Sequence, residues 1–433
     1  MKTQLSQSRR QFLQRTAAAG AGLLLTPLAM PAARSRSASE RITVGMIGIG
    51  AMGRGHLDRL LGYEDVQVVA VCDVEKTRRE TAQAQVEKRY AARQKDGVFK
   101  GCDAYTDFRA LIARKDIDAV VVATPDHMHV IIALAAARAG KDIYCEKPLT
   151  QNIHEGRLLV DAVKKHRIIF QTGSQQRSEF NDRFRKAVEF IWNGRIGRLK
   201  TIHVGVGAPP VACDLPDQPT PADVDWELWL GPAPLRGYNE ILCPKGMHRH
   251  YPLFRNYREF AGGSLADMGA HHFDIAQWAM GMDASGPTLI TPPAGEALTG
   301  LKFTYANGVE LFHGGKSGCT FEGTDGTLYV DRGVMESSRP EILSAPLSAT
   351  DQRVYPSSQH TRNWLDCVRE RRQAICPAEV GHRTASICHL ANIGYQLRRP
   401  LHWDPVKEQF RKDPEANRLV SRKPRAPWSY SMS

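Results

Sequence analysis

The hydrophobic positions of residues 41–172 form short, continuous apolar runs separated by longer amphipathic stretches. The runs are rich in Val, Ile and Ala, which is typical of strands buried on both faces, and the stretches between them have the length and polarity of helices. This alternation predicts an α/β domain with a doubly wound parallel sheet. The predicted strands are 42–47, 66–72, 119–123, 142–145 and 168–172, and the predicted helices are 52–61, 76–94, 108–114, 129–139 and 154–165.

The pattern changes after Thr172, because the later strand candidates are apolar on one side only. Asn307-Gly308 and Asp325-Gly326 stand between pairs of these strands, where hairpin turns need positive φ. We therefore expect a C-terminal α+β domain with a large, mainly antiparallel open sheet. The strand candidates are 199–206, 301–305, 309–313 and 327–330, and a long loop rich in Pro, Trp and Gly spans 209–257.

A chain of 433 residues exceeds the usual size of one hydrophobic core, so two domains are expected. We place the first domain at 41–165 and the second, which carries the substrate site and the oligomer contacts, at 166–400. Residues 401–433 are predicted to be an irregular tail on the surface. Residues 1–40 are set apart from the fold as a targeting segment.

The targeting segment is recognised by Ser8-Arg9-Arg10-Gln11-Phe12-Leu13-Gln14, which resembles a twin-arginine export signature with Gln where Lys is commoner. The mostly apolar run Ala17–Met30 follows, and Ala32 and Ala33 offer a processing site. The run has 14 residues, fewer than the ~20 of a membrane-spanning helix. We expect export by the twin-arginine machinery to the periplasm or another outside compartment, without a stable membrane span.

The net charge of +12 does not indicate a nucleic-acid-binding surface. Residues 1–40 contribute +5 of it, and the rest lies in mixed-sign runs such as 407–425, without interleaved aromatic residues. The nine cysteines are odd in number and include no Cys-x-x-Cys pair, so we expect mostly buried thiols rather than a disulfide framework.

A glycine-rich turn, Gly48-Ile49-Gly50-Ala51-Met52-Gly53, carries the clearest chemical signal. The spacing G-x-G-x-x-G is weak alone, but here a strand precedes it, a helix follows it, and Asp73 ends the next strand 20 residues beyond Gly53. Such a turn binds a dinucleotide pyrophosphate at the helix N-terminus, while the acid accepts hydrogen bonds from the adenosine ribose. The charge of Asp73 favours NAD over NADP, a preference that Arg78 and Arg79 weaken without reversing.

Four further segments resemble the Gfo/Idh/MocA family, which includes glucose–fructose oxidoreductase and inositol dehydrogenase. They are Ala123-Thr124-Pro125-Asp126-His127-Met128-His129, Glu146-Lys147-Pro148, residues 226–232 (WELWLGP) and residues 262–274 (GGSLADMGAHHFD). The resemblance covers about 41–400. It implies that Thr124, Pro125, His129 and Glu146 help to bind the cofactor, with Lys147 at the junction of cofactor and substrate. A cis peptide before Pro148 and a homo-oligomer formed through the broad sheet face are also implied.

Asp267 and His271 are spaced i, i+4, so their side chains share one face of the predicted helix. An acid that orients an imidazole is a plausible general base beside a nicotinamide. The resemblance points to the same two positions, and it gives Lys147 a catalytic or substrate-orienting role. Lys147, Asp267 and His271 are the predicted catalytic residues, and they also bind substrate together with Arg177, Tyr251 and His272, with a structural role favoured for His272 over a catalytic one.

His203, His248 and His250 raise the question of a metal site, since His-x-His with a distant acid can bind zinc. The loop that holds His248 also contains Arg249, Tyr251 and Arg255, a set better suited to hydrogen-bonding a polyhydroxylated ligand. We therefore predict no metal. For Trp226 and Trp229, core packing is a stronger interpretation than stacking on a sugar ring.

Three hypotheses for function stay open at this point. The leading one is NAD-dependent oxidoreduction at a ring hydroxyl of a sugar or glycoside, with the cofactor kept bound and recycled, because an exported protein meets no soluble nicotinamide pool. The second is a redox-neutral NAD-dependent glycosidase, which oxidises, eliminates the glycosidic bond and re-reduces. The third is a non-catalytic protein that binds a sugar or the cofactor.

Overall fold

A computed structural model of the chain describes residues 41–95 and 99–431, so the predicted export segment lies outside the described residues. The first half of the fold alternates strands and helices. It comprises β1 (Ile42–Ile47), α1 (Ala51–Leu61), β2 (Val66–Cys72), α2 (Lys76–Lys95), β3 (Asp103–Tyr105), α3 (Phe108–Ile112), β4 (Ala119–Val122), α4 (Asp126–Arg138), β5 (Asp142–Cys145), α5 (Ile153–His166) and β6 (Phe170–Thr172).

The second half is dominated by antiparallel strands and two long helices. It comprises α6 (Arg183–Trp192), β7 (Leu199–Gly205), α7 (Trp226–Leu230), α8 (Gly263–Ala279), β8 (Leu289–Thr291), β9 (Lys302–Thr304), β10 (Glu310–Gly323), β11 (Thr327–Asp331), β12 (Val334–Ser337), α9 (Pro340–Ser344), α10 (His360–Glu370), α11 (Ala378–Leu397), β13 (Leu401–Asp404), β14 (Gln409–Phe410) and α12 (Pro414–Arg418).

The first sheet has the order β3-β2-β1-β4-β5-β6, and all its strand pairs are parallel. Strands β4 and β5 are buried along their whole length, which explains why β4 is apolar without alternation and why β5 is apolar after Asp142. The strand order reverses between β1 and β4, which opens a crevice at the carboxyl ends of these strands. The predicted doubly wound sheet is confirmed, and β6 extends it past the domain boundary expected at residue 165.

The second sheet follows the order β12-β11-β10-β9-β8-β13-β14, with β7 also paired to β10, and its pairs are antiparallel. This confirms the predicted large antiparallel sheet. Gly308 has φ +83° as its hairpin turn requires. Gly326 does not adopt positive φ, so that part of the turn prediction is wrong, although β10 and β11 still form a hairpin in which Glu322 pairs with Thr327.

Residues after 400 are more ordered than the predicted surface tail. Strand β13 pairs with β8 and so extends the second sheet, and Trp403 and Phe410 are buried against each other. Further along, the buried ring of Trp428 stacks on Phe108 of the first domain at 6.3 Å between centroids. The prediction missed this because the few apolar residues that anchor the segment stand among many charged ones.

The described residues include no helix that is long and apolar enough to cross a bilayer. All nine cysteines are free thiols in this part of the chain; Cys213 is partly exposed and the other eight are buried, as expected.

Arg177 is a structural residue, which corrects the expectation that it binds substrate. Its side chain is only 1% exposed, and its guanidinium donates paired hydrogen bonds of 2.7–2.9 Å to Asp274 of α8 and to Asp283. It also lies over the ring of Trp278 at 4.7 Å. Arg177 therefore ties the C-terminal part of α8 to the segment that follows it, and its donors are not free for a ligand.

Arg177→Met should lower the free energy of unfolding by about 3–5 kcal/mol, because it leaves two carboxylates without their buried cation. Urea unfolding followed by tryptophan fluorescence measures the loss. Arg339→Met is the matched control, since Arg339 is an exposed arginine that pairs with Glu341 at 3.5 Å and donates to the Arg195 carbonyl oxygen at 3.5 Å, and the change should alter stability by about 0–1 kcal/mol. If the two variants were equally stable, the structural role of Arg177 would be refuted.

Candidate functional site

The turn between β1 and α1 is built from glycines that leave no room for side chains. Gly48 has φ +89°, and a Cβ there would lie 2.6 Å from the carbonyl oxygen of Ala123. A Cβ on Gly53 would overlap the carbonyl oxygen of Gly48, so α1 can approach β1 this closely only with glycine at that position. Gly50 differs, because no atom lies within 4 Å of the place where its Cβ would stand.

The open side of Gly50 faces a cavity at the carboxyl ends of β1 and β4. Gly50 is the N-cap of α1, and no side chain caps the helix there. The first-turn N–H groups and the positive end of the helix dipole can therefore receive an anion such as a pyrophosphate. The space, the bare helix end and the position in the sheet fit a dinucleotide. The first-domain residues that line this cavity include Gly48, Gly50, Ala51, Met52, Asp73, Thr124 and Pro125.

Asp73 lies at the end of β2, as predicted, and its carboxylate stabilises the turn. One oxygen accepts a hydrogen bond from the backbone N–H of Ile49 at 2.7 Å, and the other accepts from Glu75 N–H at 2.9 Å. A carboxylate can accept about four hydrogen bonds, so acceptor capacity remains for the hydroxyls of a ribose. The guanidinium of Arg78 lies 4.0 Å away.

The long loop of the second domain covers the opposite side of this cavity through residues 242–255, here called the strap. Arg78 donates from Nε to the carbonyl oxygen of Gly246 at 2.9 Å and from Nη2 to that of Pro244. Arg54 of α1 donates to the carbonyl oxygen of His248. The strap is thus tied to both helices that flank the glycine turn, and it encloses the space between them.

A second cavity adjoins the first and holds the predicted catalytic residues. Ala51, Met52, Ala123, Thr124, Tyr251 and Arg255 line both cavities. The second cavity is completed by Glu146 and Lys147 after β5, and by Asp267 and His271 of α8. The peptide bond between Lys147 and Pro148 is cis, as the family resemblance implies.

Lys147 and Asp267 form the central contact of this second cavity. The ammonium group donates to Asp267 Oδ1 at 2.6 Å and lies 3.2 Å from the Asp267 carbonyl oxygen. Arg255 Nε lies 3.5 Å from the same carboxylate oxygen. Burial would raise the pKa of Asp267, but the charges of Lys147 and Arg255 outweigh that effect and lower it. Asp267 is therefore ionised and fixes the lysine in position.

His271 lines the cavity one helical turn beyond Asp267, but the two side chains do not form the predicted hydrogen-bonded pair. Asp267 is committed to Lys147, and His271 Nδ1 is buried without a hydrogen-bond partner among the described residues. Burial holds the pKa of His271 well below its ordinary value of 6.5, and the positive charges of Lys147 and Arg332 depress it further. The imidazole is therefore neutral at neutral pH, which is the form that accepts a proton.

Glu146 is held in the cavity wall by two neighbours that the sequence did not indicate. Its Oε1 lies 2.7 Å from His56 Nε2 and accepts from Gln175 Nε2 at 2.8 Å. Burial tends to raise the pKa of Glu146, but the hydrogen bond and charge of His56, with Lys147, lower it overall. The role of His56 is hard to predict from the sequence, because the residue lines the cavity from the inner side of α1.

Asp126 is a further residue that sequence reasoning did not select. It is the first residue of α4, lines the second cavity and is 5% exposed. Burial raises its pKa to about 7, with a contribution from Asp267, while Arg255 and Lys147 oppose the rise. Its position directly after Thr124-Pro125 at a strand end was the available signal.

Two predicted site histidines lie outside both cavities. His129 is buried, and its ring nitrogens are 2.8 and 2.9 Å from the carbonyl oxygens of Pro148 and Thr124, so it braces two loops instead of touching the cofactor space. His272 of α8 is fully buried, 3.9 Å from Asp331, and burial lowers its pKa to about 4. These positions correct the ligand-binding roles expected for both residues.

The three histidines considered for a metal site do not come together. His248 Nδ1 lies 2.8 Å from the carbonyl oxygen of His250, whereas His203 stacks on Phe312 in the second sheet. Among residues 41–95 and 99–431, no group of three His, Cys, Asp or Glu side chains is arranged to hold an ion. Trp226 and Trp229 stack on each other at 4.6 Å within a buried cluster, so they are core residues.

The chain belongs to the Gfo/Idh/MocA family. Residues 42–174 match the oxidoreductase family's NAD-binding Rossmann fold, and residues 211–430 match its C-terminal alpha/beta domain. This confirms the family resemblance and the dinucleotide-binding class of the first domain.

Characterised relatives and solved structures share this organisation at low identity. The chain is 27% identical to a myo-inositol 2-dehydrogenase of Thermotoga maritima over 259 residues, 59% of this chain and 61% of the relative. It is 35% identical to a levoglucosan dehydrogenase of Pseudarthrobacter phenanthrenivorans over 165 residues, 37% of this chain and 39% of the relative. The matches thus span at most about three fifths of these relatives. The WlbA dehydrogenase of Bordetella pertussis, solved with NADH and UDP-GlcNAcA, superposes with a TM-score of 0.58 at 16% identity over 84% of this chain and 99% of that one.

Two glycine variants separate folding from dinucleotide binding. Gly53→Ala should destabilise the protein without any ligand, because its Cβ overlaps backbone that cannot move freely. Gly50→Ala should leave stability nearly unchanged but weaken binding of added NAD, because its methyl group enters the open space. Thermal unfolding with and without NAD distinguishes the two effects. An unchanged NAD-induced stabilisation in Gly50→Ala would place the cofactor elsewhere.

Proposed function

We propose that this chain is an NAD-dependent oxidoreductase that acts on a ring hydroxyl of a sugar or glycoside. The observation that carries the proposal is the adjacency of two cavities that share lining residues, one against the glycine turn and one containing Lys147, Asp267 and His271. A hydroxyl group bound among these three residues lies next to the place where the family's cofactor would present its reactive ring. The inositol and levoglucosan dehydrogenases among the relatives support a polyol or sugar as substrate.

Each of the three residues has a separate role in removing a proton from the substrate hydroxyl. The Lys147 ammonium donates a hydrogen bond to the hydroxyl oxygen and favours its anionic form electrostatically. The neutral His271 imidazole takes the proton. Asp267 holds Lys147 in place and compensates its charge in a partly buried site. When bound, the nicotinamide ring supplies the hydride acceptor.

We further propose NAD rather than NADP as the cofactor. Asp73 and the buried Glu75 place negative charge where a ribose 2′-phosphate would lie, and a phosphate there would be repelled. Arg78 lies 4.0 Å from Asp73 and 3.9 Å from Glu75, so this one cation offsets only one of the two carboxylate charges, and its Nε and Nη2 also donate to carbonyl oxygens of the strap.

The cofactor is proposed to stay bound, in a protein exported with it, and to be reoxidised in place by a second sugar that accepts the hydride. The twin-arginine-like segment supports export, since that route carries proteins already folded, and the strap supports retention because it closes over the cavity. The homo-oligomer implied by the family resemblance stays a prediction.

Native mass spectrometry of protein recovered from outside the producing cytoplasm should show one NAD per chain. Incubation of that protein with a panel of sugars and aryl glycosides should then yield a keto-sugar. Release of the aglycone would instead favour the redox-neutral glycosidase. Protein without any bound nicotinamide would refute the resident cofactor, and protein that binds sugars but oxidises none would favour the non-catalytic alternative.

His271→Asn should lower kcat for oxidation roughly a hundredfold to ten-thousandfold, the usual contribution of a general base. In the wild-type protein the base is active when neutral, so activity falls as the pH falls through its pKa, which burial holds well below 6.5. The pH profile of kcat/KM should therefore lack the half-loss at pH 6.5 that an ordinary histidine would give.

The matched control for this variant is His402→Asn, which changes an exposed histidine on β13. It should leave both kcat and the pH profile unchanged. An acid limb centred at or above pH 6.5, or full activity in His271→Asn, would show that another group is the base.

A further inference from the structure

Arg332 gives the second cavity a positive charge that the proposed chemistry does not use. It lies in the turn between β11 and β12, on the His271 side of the cavity, and its side chain is partly buried. It does not line the cavity against the glycine turn, so the phosphates of a dinucleotide bound there would not meet it.

The other arginine and lysine side chains that line this cavity each have a carboxylate partner. Lys147 pairs with Asp267 at 2.6 Å, and Arg255 lies 3.5 Å from the same carboxylate. Arg59 pairs with Glu179 at 3.4 Å. Within the described part of the chain, Arg332 alone among these cations has no carboxylate within 4.0 Å.

The guanidinium of Arg332 is nevertheless held in a defined place. It lies over the ring of Phe180 at 5.0 Å. With the Gln176 amide oriented so that its nitrogen donates to the His271 carbonyl oxygen, its oxygen accepts from Arg332 Nε at 3.2 Å. The two terminal amino groups of Arg332 make no hydrogen bond to a described residue. Arg332 lines the cavity, so these two groups form a pair of donors that no described residue uses.

We propose that Arg332 binds an anionic substituent of the substrate, so that the substrate is an acidic sugar, with a carboxylate as the favoured group. A planar guanidinium with two free amino groups matches the two oxygens of a carboxylate and binds it through paired hydrogen bonds. A partly buried cation without a partner also gains most from an incoming anion. The inference rests on the proposed function, in that this cavity receives a sugar. A phosphate ester would offer the same chemistry, and the experiment separates the two.

Isothermal titration of the cofactor-loaded protein with glucuronate, glucose 6-phosphate and glucose tests this directly. Glucuronate should bind more tightly than glucose. Arg332→Gln should weaken glucuronate binding roughly tenfold to a hundredfold, as expected for losing hydrogen bonds to a charged group, and leave glucose binding unchanged. Arg332→Lys should retain part of the preference because it keeps the charge.

Lys316→Gln is the matched control, because it removes an exposed cation from the neighbouring strand β10, where Lys316 pairs with Glu336 at 3.1 Å outside the cavity. It should not change any of the affinities. Tightest binding of glucose 6-phosphate, lost in Arg332→Gln, would assign the anion as a phosphate ester.

Two results separate this inference from the proposed function. If neither acidic sugar bound more tightly than glucose, or if Arg332→Gln bound them all as the wild type does, the anion site would be refuted, even with neutral sugars oxidised. If glucuronate bound in an Arg332-dependent way but no sugar were oxidised, the anion site would stand and the oxidoreductase function would fail.

Discussion

The ion pair between Lys147 and Asp267 is the contact on which the site depends. It joins the segment after β5 of the first sheet to α8 of the second domain, with the lysine 13% and the aspartate 25% exposed. Such a pair gains little net stability, because desolvation offsets much of the attraction, but losing one partner leaves a costly unpaired charge. Its value is geometric, because the ammonium group that we propose to bind the substrate hydroxyl is fixed relative to both the crevice at the glycine turn and His271. Arg177, buried under α8, fixes the helix that carries Asp267 and His271.

The charged groups around the Lys147–Asp267 pair change the pKa values of their neighbours. Lys147 lowers the pKa of Asp267 and also that of His271, so one cation keeps an acid ionised and a base neutral. Burial raises the pKa of Asp126 to about 7, although the charges of Arg255 and Lys147 oppose the rise. The result is a cavity in which most charges are compensated by protein and one, on Arg332, is left for a ligand. An arrangement of this kind stabilises charge that develops during proton removal without reorganising water.

Local patterns predicted much of the fold and the parts of the site that lie within single short segments. The glycine turn, Asp73 and the parallel strands are encoded within short windows, because turn geometry and strand burial act locally. Contacts between segments that lie far apart in the sequence could not be predicted from such short windows. The expected Asp267–His271 pair was replaced by Asp267–Lys147, since i, i+4 spacing gives proximity on a helix but not the partner supplied by another element. His56, Arg255 and Arg332 line the cavity only because tertiary packing brings them there. Arg177 and His272 have side chains typical of functional sites, but both are buried in the core.

The central claim is that Lys147, Asp267 and His271 act on a sugar hydroxyl beside a dinucleotide held at the glycine turn. The most direct test is a single-turnover measurement, in which NAD-loaded protein is mixed with an excess of a sugar substrate and the absorbance of reduced nicotinamide is followed in a stopped-flow instrument. The account predicts one reduced nicotinamide per chain in the wild type and a greatly slowed reaction in Lys147→Met and His271→Asn with the cofactor still bound. Equal rates of reduction in these variants and the wild type would contradict it.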